Sequence, residues 1–346
     1  PGMQLIMSGL SLAIYWIGAH LINAAAMNDK IDLFSDMVVF SSYAIQVVMA
    51  FTMMVMIFIM APRASVAAKR INEVLETKPN IVNGNLKSAS KDIKGEVEFK
   101  NVSFKYPDAA DYILKNISFK AKRGQTVAFI GSTGSGKSTL VNLIPRFYDA
   151  TEGEVLIDGV NVKEYNLESL YNKLGYVSQK TVMFSGTVSS NVAYGENGLG
   201  EYSEEAVKRA VSIAQASDFV EGMENQYEAA VAQGGANLSG GQKQRLSIAR
   251  AVCRKPEIYI FDDSFSALDY KTDRVLRSVL KKETADTTSI IVAQRIGTIK
   301  DADMIIVLDE GKIAGRGTHE ELMKTCDIYR QIALSQLSKE ELENEQ

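Results

Sequence analysis

Two long apolar segments open the chain, and shorter apolar strands alternate with helices over the remainder. Residues 5–26 carry no charged side chain other than His20, and residues 37–61 form a second uncharged run. A helix needs about 20 apolar residues to cross a bilayer, so each run is long enough to span one. A cleavable signal peptide is the alternative for the first run, but the run shows neither a basic start nor a small-residue cleavage site.

A positively charged cluster follows the second run and sets its orientation. The cluster consists of Arg63, Lys69 and Arg70. Because basic residues concentrate on the cytosolic side of membrane spans, we expect the second span to end in the cytosol and the turn near Asp29 to lie outside. The apolar spacing predicts that an amphipathic helix continues over residues 64–78, and Pro79 is expected to end it.

A stripe of methionines marks one face of the second span. The stripe consists of Met49, Met53, Met56 and Met60. Spacings of three and four residues place these side chains on one helical face. Flexible thioethers suit varied apolar cargo, but packing against other helices or lipid is the interpretation we favour.

A polar segment, residues 80–94, reads as a linker, and a second domain is predicted over residues 95–337. Strands are expected at 96–104, 126–130, 258–261 and 289–292, a Gly-rich strand pair around 155–159, and a helical subdomain at about 167–251. Strands that alternate with helices predict an α/β fold with a mostly parallel sheet. Thr318 and Glu321 form a predicted capping box for the last helix, with His319 as a structural residue. Residues 338–346 form an acidic tail.

The composition and net charge disfavour one class of partner, nucleic acids. The net charge is −4, and 46% of residues are hydrophobic against 23% charged. These totals are near globular averages, although the apolar residues concentrate in the first sixty or so positions. A nucleic-acid-binding domain usually carries a basic patch, so we expect no nucleic-acid partner.

A glycine-rich segment carries the strongest chemical signal. It matches the phosphate-loop pattern G-x-x-x-x-G-K-[ST] with Gly131, Ser132, Thr133, Gly134, Ser135, Gly136, Lys137 and Ser138. A buried strand enters the loop and a helix leaves it, as the motif requires. Backbone N–H groups would surround the phosphates, Lys137 would reach the β- and γ-phosphates, and Ser138 would hold Mg²⁺. Thr139, on the helix after the loop, belongs to the predicted nucleotide site.

Three further motifs follow the loop. Ser239, Gly240, Gly241 and Gln242 open a helix whose exposed N–H groups form a second cradle for a γ-phosphate. An apolar strand ends in Asp262, whose carboxylate would coordinate Mg²⁺. Asp269 closes the third motif, Ser-Ala-Leu-Asp at 266–269. We expect the two cradles to be brought together by two chains rather than within one.

Together these motifs resemble ATP-binding cassette (ABC) transporters, specifically exporters that fuse membrane helices to a nucleotide-binding domain. The resemblance implies ATP and Mg²⁺ as ligands. It also implies that Tyr106 stacks on adenine and that Gln179 contacts Mg²⁺ and the attacking water. By the same resemblance, the signature motif at 239–242 closes on the opposing subunit's nucleotide, and Asp269 communicates across the dimer.

The sequence departs from the family pattern at the two groups expected around the attacking water. Asp263 stands where the family usually has a catalytic glutamate, and its side chain is one methylene shorter. Gln294 stands where the family has a switch histidine, and an amide carries no imidazolium charge. A third departure places Gln233 where exporters often have an acid. These departures resemble the weak-site half of a heterodimeric exporter.

The resemblance yields one leading hypothesis and two alternatives. The leading hypothesis is a weakly hydrolysing half that exports amphipathic or lipophilic compounds across the plasma membrane with a different partner half. The alternatives are a homodimeric exporter in which Asp263 is an adequate base and a nucleotide-gated regulatory subunit. A DNA-repair ATPase is disfavoured by the two spans. Because such exporters have six spans per half, we expect further spans before residue 1, with the nucleotide-binding domain in the cytoplasm.

Overall fold

The computed structural model describes residues 2–87, 94–195, 200 and 202–336. Contacts divide the chain into two compact units, with the boundary between Asn80 and Ile81. Residues 88–93, within the predicted linker, and the acidic tail at 338–346 lie outside the described residues.

The first unit is a pair of long helices, α1 (Gly2–Ala24) and α2 (Lys30–Leu75). Both are long and apolar enough to cross a membrane. α2 runs from Lys30 to Leu75, so it contains the predicted span at 37–61 and most of the extension predicted to about residue 78. Hydrophobicity marks the apolar part of a helix and not its solvated ends. Pro62 lies inside α2, so the span and its extension form one helix of about 69 Å at 1.5 Å per residue.

The second unit contains the remaining described elements. Its strands are β1 (Val97–Phe104), β2 (Leu114–Ala121), β3 (Thr126–Ile130), β4 (Glu152–Ile157), β5 (Val160–Asn161), β6 (Leu174–Val177), β7 (Gly186–Thr187), β8 (Ala230–Val231), β9 (Ile258–Asp262), β10 (Thr288–Val292), β11 (Met304–Asp309) and β12 (Lys312–Gly317). Its helices are α3 (Lys137–Asn142), α4 (Leu167–Asn172), α5 (Val188–Val192), α6 (Glu204–Ile213), α7 (Ser217–Glu221), α8 (Gly240–Cys253), α9 (Tyr270–Glu283), α10 (Ile296–Ile299), α11 (His319–Thr325) and α12 (Asp327–Gln336).

A six-stranded sheet in the order β12-β11-β3-β10-β9-β6 forms the centre of this unit. Its strands run parallel except β12, which pairs antiparallel with β11. The central strands are buried along nearly their full length, which explains their continuous apolar sequences. The predicted mostly parallel sheet is therefore confirmed. A second, antiparallel sheet in the order β2-β1-β4-β5 packs into the same core as β3.

Three details differ from the sequence prediction. The region 167–251 is not helical throughout, because it contains β6, β7 and β8. Strand β2 was not predicted. Part of the predicted linker packs on the second unit, since the Asn83 side chain accepts a hydrogen bond from the Leu167 backbone and Gly84 N–H donates to Tyr165. Short strands carry too few alternating positions to be distinguished from helix ends in the sequence.

The capping box at the start of α11 is confirmed. Thr318 Oγ1 accepts from the Glu321 backbone and the Glu321 side chain accepts from the Thr318 backbone. His319 Nδ1 lies 2.7 Å from the buried Tyr329 hydroxyl. The structural role predicted for His319 agrees with this contact.

Candidate functional site

Four adjacent parallel strands bring the sequence motifs to one edge of the central sheet. β3 leads into Gly131, β9 ends at Asp262, and β10 and β6 are followed by Gln294 and Gln179. Parallel neighbours share a direction, so the residues after their carboxyl ends meet in space although they are far apart in sequence. Ligands of open α/β sheets bind at this edge.

The glycines of the phosphate loop hold backbone conformations that other residues rarely adopt. Gly134 has φ +84° and Gly136 has φ +97°, both in the left-handed region. A Cβ on Gly134 would meet no atom within 4 Å, so the loop is open on that side. This open cradle of N–H groups at the start of α3 fits a phosphate chain.

Lys137 lies across the phosphate loop. Its ammonium group donates to the carbonyl oxygens of Gly131 at 2.8 Å and Ser132 at 2.7 Å. Burial lowers the pKa of Lys137, while the nearby charges of Asp262 and Asp263 act in the opposite direction. The cation predicted to reach the phosphates is therefore already positioned at the loop. Ser135 is buried in the loop, whereas Ser132 and Thr133 are exposed.

The two predicted protein ligands of Mg²⁺ lie together. Ser138 Oγ donates to Asp262 Oδ1 at 2.9 Å. Burial raises the pKa of the Asp262 carboxyl and the hydrogen bond from Ser138 opposes that shift. Among the described residues, no group of three His, Cys, Asp or Glu side chains forms a metal site. A hydroxyl and one carboxylate suit Mg²⁺ that also takes phosphate oxygens and water.

The three candidate catalytic residues form one hydrogen-bonded cluster. Gln179 Nε2 donates to Asp263 Oδ2 at 3.1 Å, and Gln294 Nε2 donates to the same oxygen at 2.7 Å. Asp263 is 8% exposed and has φ +48°, a left-handed conformation that aspartate tolerates better than most residues. One carboxylate oxygen of the candidate base is thus held by two amides.

Tyr106 lies beside the helix that follows the phosphate loop. Its hydroxyl is 3.0 Å from Thr139 Oγ1. Its ring makes edge contacts with Phe104 and Tyr148, whose centroids lie 5.0 and 5.1 Å away. These contacts join Tyr106 and Thr139 of the predicted nucleotide site.

The second predicted cradle is a well-capped helix start. Ser239 Oγ accepts from the Gln242 backbone at 3.3 Å, and Gln242 Oε1 accepts from the Ser239 backbone at 2.8 Å. A Cβ on Gly240 would meet no atom within 4 Å, and one on Gly241 would lie 3.4 Å from the Ala267 carbonyl oxygen. The first N–H groups of α8 are therefore open to an incoming anion.

Comparison with known proteins agrees with this geometry. Residues 114–266, which hold the phosphate loop, Gln179, the signature motif and both aspartates, match the ABC transporter family model. The chain carries an ABC transporter domain.

Relatives extend this similarity over nearly the whole chain. An ABC transporter ATP-binding protein of Mycobacterium tuberculosis is 44% identical over 337 residues, 97% of this chain and 57% of that protein. The ATP-dependent lipid A-core flippase of Haemophilus influenzae is 40% identical over 276 residues, 80% of this chain and 46% of that protein. The chain thus spans about half the length of these curated relatives.

A solved structure shows the same fold. A bacterial Atm1-family ABC exporter with ATP bound matches with a TM-score of 0.80 and 31% identity, over 97% of this chain and 57% of that chain. The combination of N-terminal helices and an α/β nucleotide-binding domain is therefore the half-exporter fold.

Asp269 caps a helix of this ABC domain. Its side chain accepts from the Thr272 backbone at 3.0 Å and caps α9. That hydrogen bond lowers the pKa of the exposed Asp269 carboxyl. The predicted communication across a dimer stays a prediction.

Arg250 is a residue of the ABC domain whose importance the sequence analysis missed. It donates to the carbonyl oxygens of Asn191 at 2.8 Å and Val182 at 3.0 Å, and its guanidinium lies 5.6 Å from the centroids of the Phe184 and Tyr194 rings. It ties the signature helix α8 to the segment that follows Gln179. An arginine among the apolar positions of a helix is the signal that could have identified it.

Proposed function

We propose that this chain is part of one half of a heterodimeric ABC exporter, a half that binds ATP but hydrolyses it slowly at its own phosphate loop. Its signature motif completes a competent site on a different partner half. The observation that carries the proposal is the Asp263 cluster, in which the short candidate base accepts from Gln179 and Gln294 through one oxygen.

The roles of the side chains follow from their chemistry. Lys137 neutralises phosphate charge, and Ser138 and Asp262 would hold Mg²⁺, which would supply further positive charge beside the phosphates. A base must lie about 2.6–3.2 Å from the proton that it accepts, or act through water. Asp263 is one methylene shorter than glutamate, and its Oδ2 already accepts two amide hydrogens. Gln294 can donate a hydrogen bond but supplies no transferable proton at neutral pH.

The signature motif at 239–242 has the features needed to bind a γ-phosphate, in contrast to the altered catalytic residues at the chain's own phosphate loop. Its capping box is complete, and the first turn of α8 is open at Gly240. A γ-phosphate bound by a partner chain would meet several N–H groups there, reinforced by the helix dipole. We therefore assign the productive contribution of this chain to the partner's nucleotide.

The membrane part supports export as the use of this ATP. Helices α1 and α2 are apolar, and α2 carries the methionine stripe at 49–60. Relatives include a lipid A-core flippase and proteins named for multidrug resistance. We infer amphipathic or lipophilic cargo, a multi-pass location in the plasma membrane with the nucleotide-binding domain in the cytoplasm, and contact with the lipid bilayer.

Substituting Lys137→Ala should weaken ATP binding about 10- to 100-fold, because charge-assisted hydrogen bonds contribute about 1.5–3 kcal/mol and 1.4 kcal/mol is tenfold. A fluorescent ATP analogue, titrated into the purified full-length protein, measures this affinity. Lys180→Ala is the matched control, since it removes the same charge from an exposed position after Gln179. Equal affinities in the two variants would show that ATP does not bind at this loop, and they would contradict the proposed function.

A further inference from the structure

A cavity of about 270 Å³ lies in the ABC domain between α9 and the central sheet. Its apolar wall includes Phe261, Phe265, Leu280 and Ile291, and its other lining residues are charged or carry hydroxyl groups, apart from Ala302. The cavity does not include the phosphate loop, the signature motif or the residues that contact Asp263. It is larger than the cavity of about 150 Å³ that admits benzene in an engineered protein.

Two largely buried residues present their hydroxyl groups to this cavity. Ser289 is 4% exposed and Thr298 is 8% exposed, and both line the cavity. Among the described contacts neither side-chain oxygen has a partner, and neither is sealed from solvent. Each hydroxyl is therefore open to the cavity. Each can therefore donate a hydrogen bond to, or accept one from, a polar group inside the cavity.

The mouth of the cavity carries excess positive charge. Three cations from α9 line it, namely Arg274, Arg277 and Lys281. The charge of Arg277 is neutralised by Asp273. Arg277 Nε donates to Asp273 Oδ1 at 3.0 Å, and Arg277 Nη2 donates to Asp273 Oδ2 at 3.1 Å. Within the described residues, Arg274 and Lys281 make no ion pair, and Lys281 donates only to the Asp301 carbonyl oxygen at 3.4 Å. The carboxylate of Asp301 is the one acid in the lining, so the cations exceed the acids.

We propose that this cavity binds a small amphipathic anion, with an apolar ring or short chain against the phenylalanines and an ionised group near Arg274 and Lys281. Pockets with apolar walls and a few convergent polar groups are the usual sites of small ligands. Phe261 and Phe265 flank Asp262 and Asp263 in sequence, and their rings lie 5.3 Å apart. An occupant therefore contacts the segment that carries both carboxylates.

The probe is 4-fluorobenzoate, a monocyclic aromatic carboxylate, and its binding is followed by ¹⁹F NMR line broadening on the purified full-length protein with saturating ADP and Mg²⁺. The neutral isostere 4-fluorobenzamide reports binding without charge. We expect 4-fluorobenzoate to bind, the amide to bind more weakly, and Ser278→Trp at the exposed mouth to block both in the cavity.

Charge is tested with paired variants of α9. Arg274→Gln with Lys281→Gln should weaken 4-fluorobenzoate binding by up to about fivefold for each charge removed, since a partly exposed charge contact contributes up to about 1 kcal/mol. Lys271→Gln with Lys282→Gln removes the same charge from exposed positions of α9 that do not line the cavity. Absence of binding, equal binding of the amide, binding that survives Ser278→Trp, or equal loss in the control pair would each overturn the proposal.

Discussion

Asp263→Glu should raise ATP turnover at this chain's own site by about 10- to 100-fold, because a misplacement of about 1 Å costs on the order of 10²-fold in rate. The added methylene moves the carboxylate forward by about that distance, and it withdraws the oxygen from the position where Gln179 and Gln294 now hold it. The measurement is steady-state ATP hydrolysis by the full-length form of this chain expressed alone, where every site is built from its own motifs.

Two controls accompany this substitution. Asp263→Asn keeps the short side chain and removes the charge, so turnover should fall below the unmodified chain. Folding is checked with a thiol-reactive dye during heating, because Cys253 and Cys326 are both buried and become reactive on unfolding. This check is needed because Asp263 has φ +48°, a left-handed conformation that aspartate adopts more readily than most residues. A folded Asp263→Glu variant with unchanged turnover would show that the length of this side chain does not limit hydrolysis.

Gly240→Ala should lower ATP turnover of the purified heterodimer about 100-fold or more, since a methyl group that blocks access to one well-placed N–H donor has an effect comparable to losing it, about 10²–10³-fold. Within this chain the added methyl group meets no atom within 4 Å. The fold therefore tolerates the change, and the methyl group obstructs only what approaches the first N–H groups of α8 from outside.

Gly297→Ala is the matched control, because a Cβ at that helical glycine also meets no atom within 4 Å. Lys137→Ala in the same heterodimer should reduce turnover less than Gly240→Ala, since the chain's own loop is the slower site. If Gly240→Ala leaves turnover near that of Gly297→Ala, the signature of this chain completes no competent site.

The sequence could place the phosphate loop and Asp262 at one edge of the sheet, because each follows a buried parallel strand. The apolar strands at 126–130 and 258–262 and the glycines of the loop fix the local backbone, and strand direction then brings the motifs together. The pairing of Ser138 with Asp262 follows because both residues are predicted ligands of the same Mg²⁺ ion. The sequence therefore indicated that Ser138 and Asp262 meet, and the structure places them 2.9 Å apart.

Other features depend on contacts that no local pattern encodes. The bonds from Gln179 and Gln294 to one oxygen of Asp263 require three segments in register. Strands β2 and β6 were missed because neighbours in space, not periodicity, define them. The uncharged run at 37–61 marks only part of α2, because the charged residues Lys30, Asp32 and Asp36 at its start are helical as well. The partners of Arg250 come from the segment 182–194, whose sequence shows no helical or strand periodicity that predicts these contacts.

The asymmetry of the two nucleotide sites is tested most directly by ATP turnover of the full-length chain alone, compared at equal concentration with the same chain paired with a second exporter half. That second half should carry glutamate after its metal-binding aspartate and histidine at its switch position. We expect slow hydrolysis by this chain alone and a rate at least about tenfold higher in the pair, because the partner half supplies a positioned general base. Equally fast hydrolysis by the chain alone would contradict it.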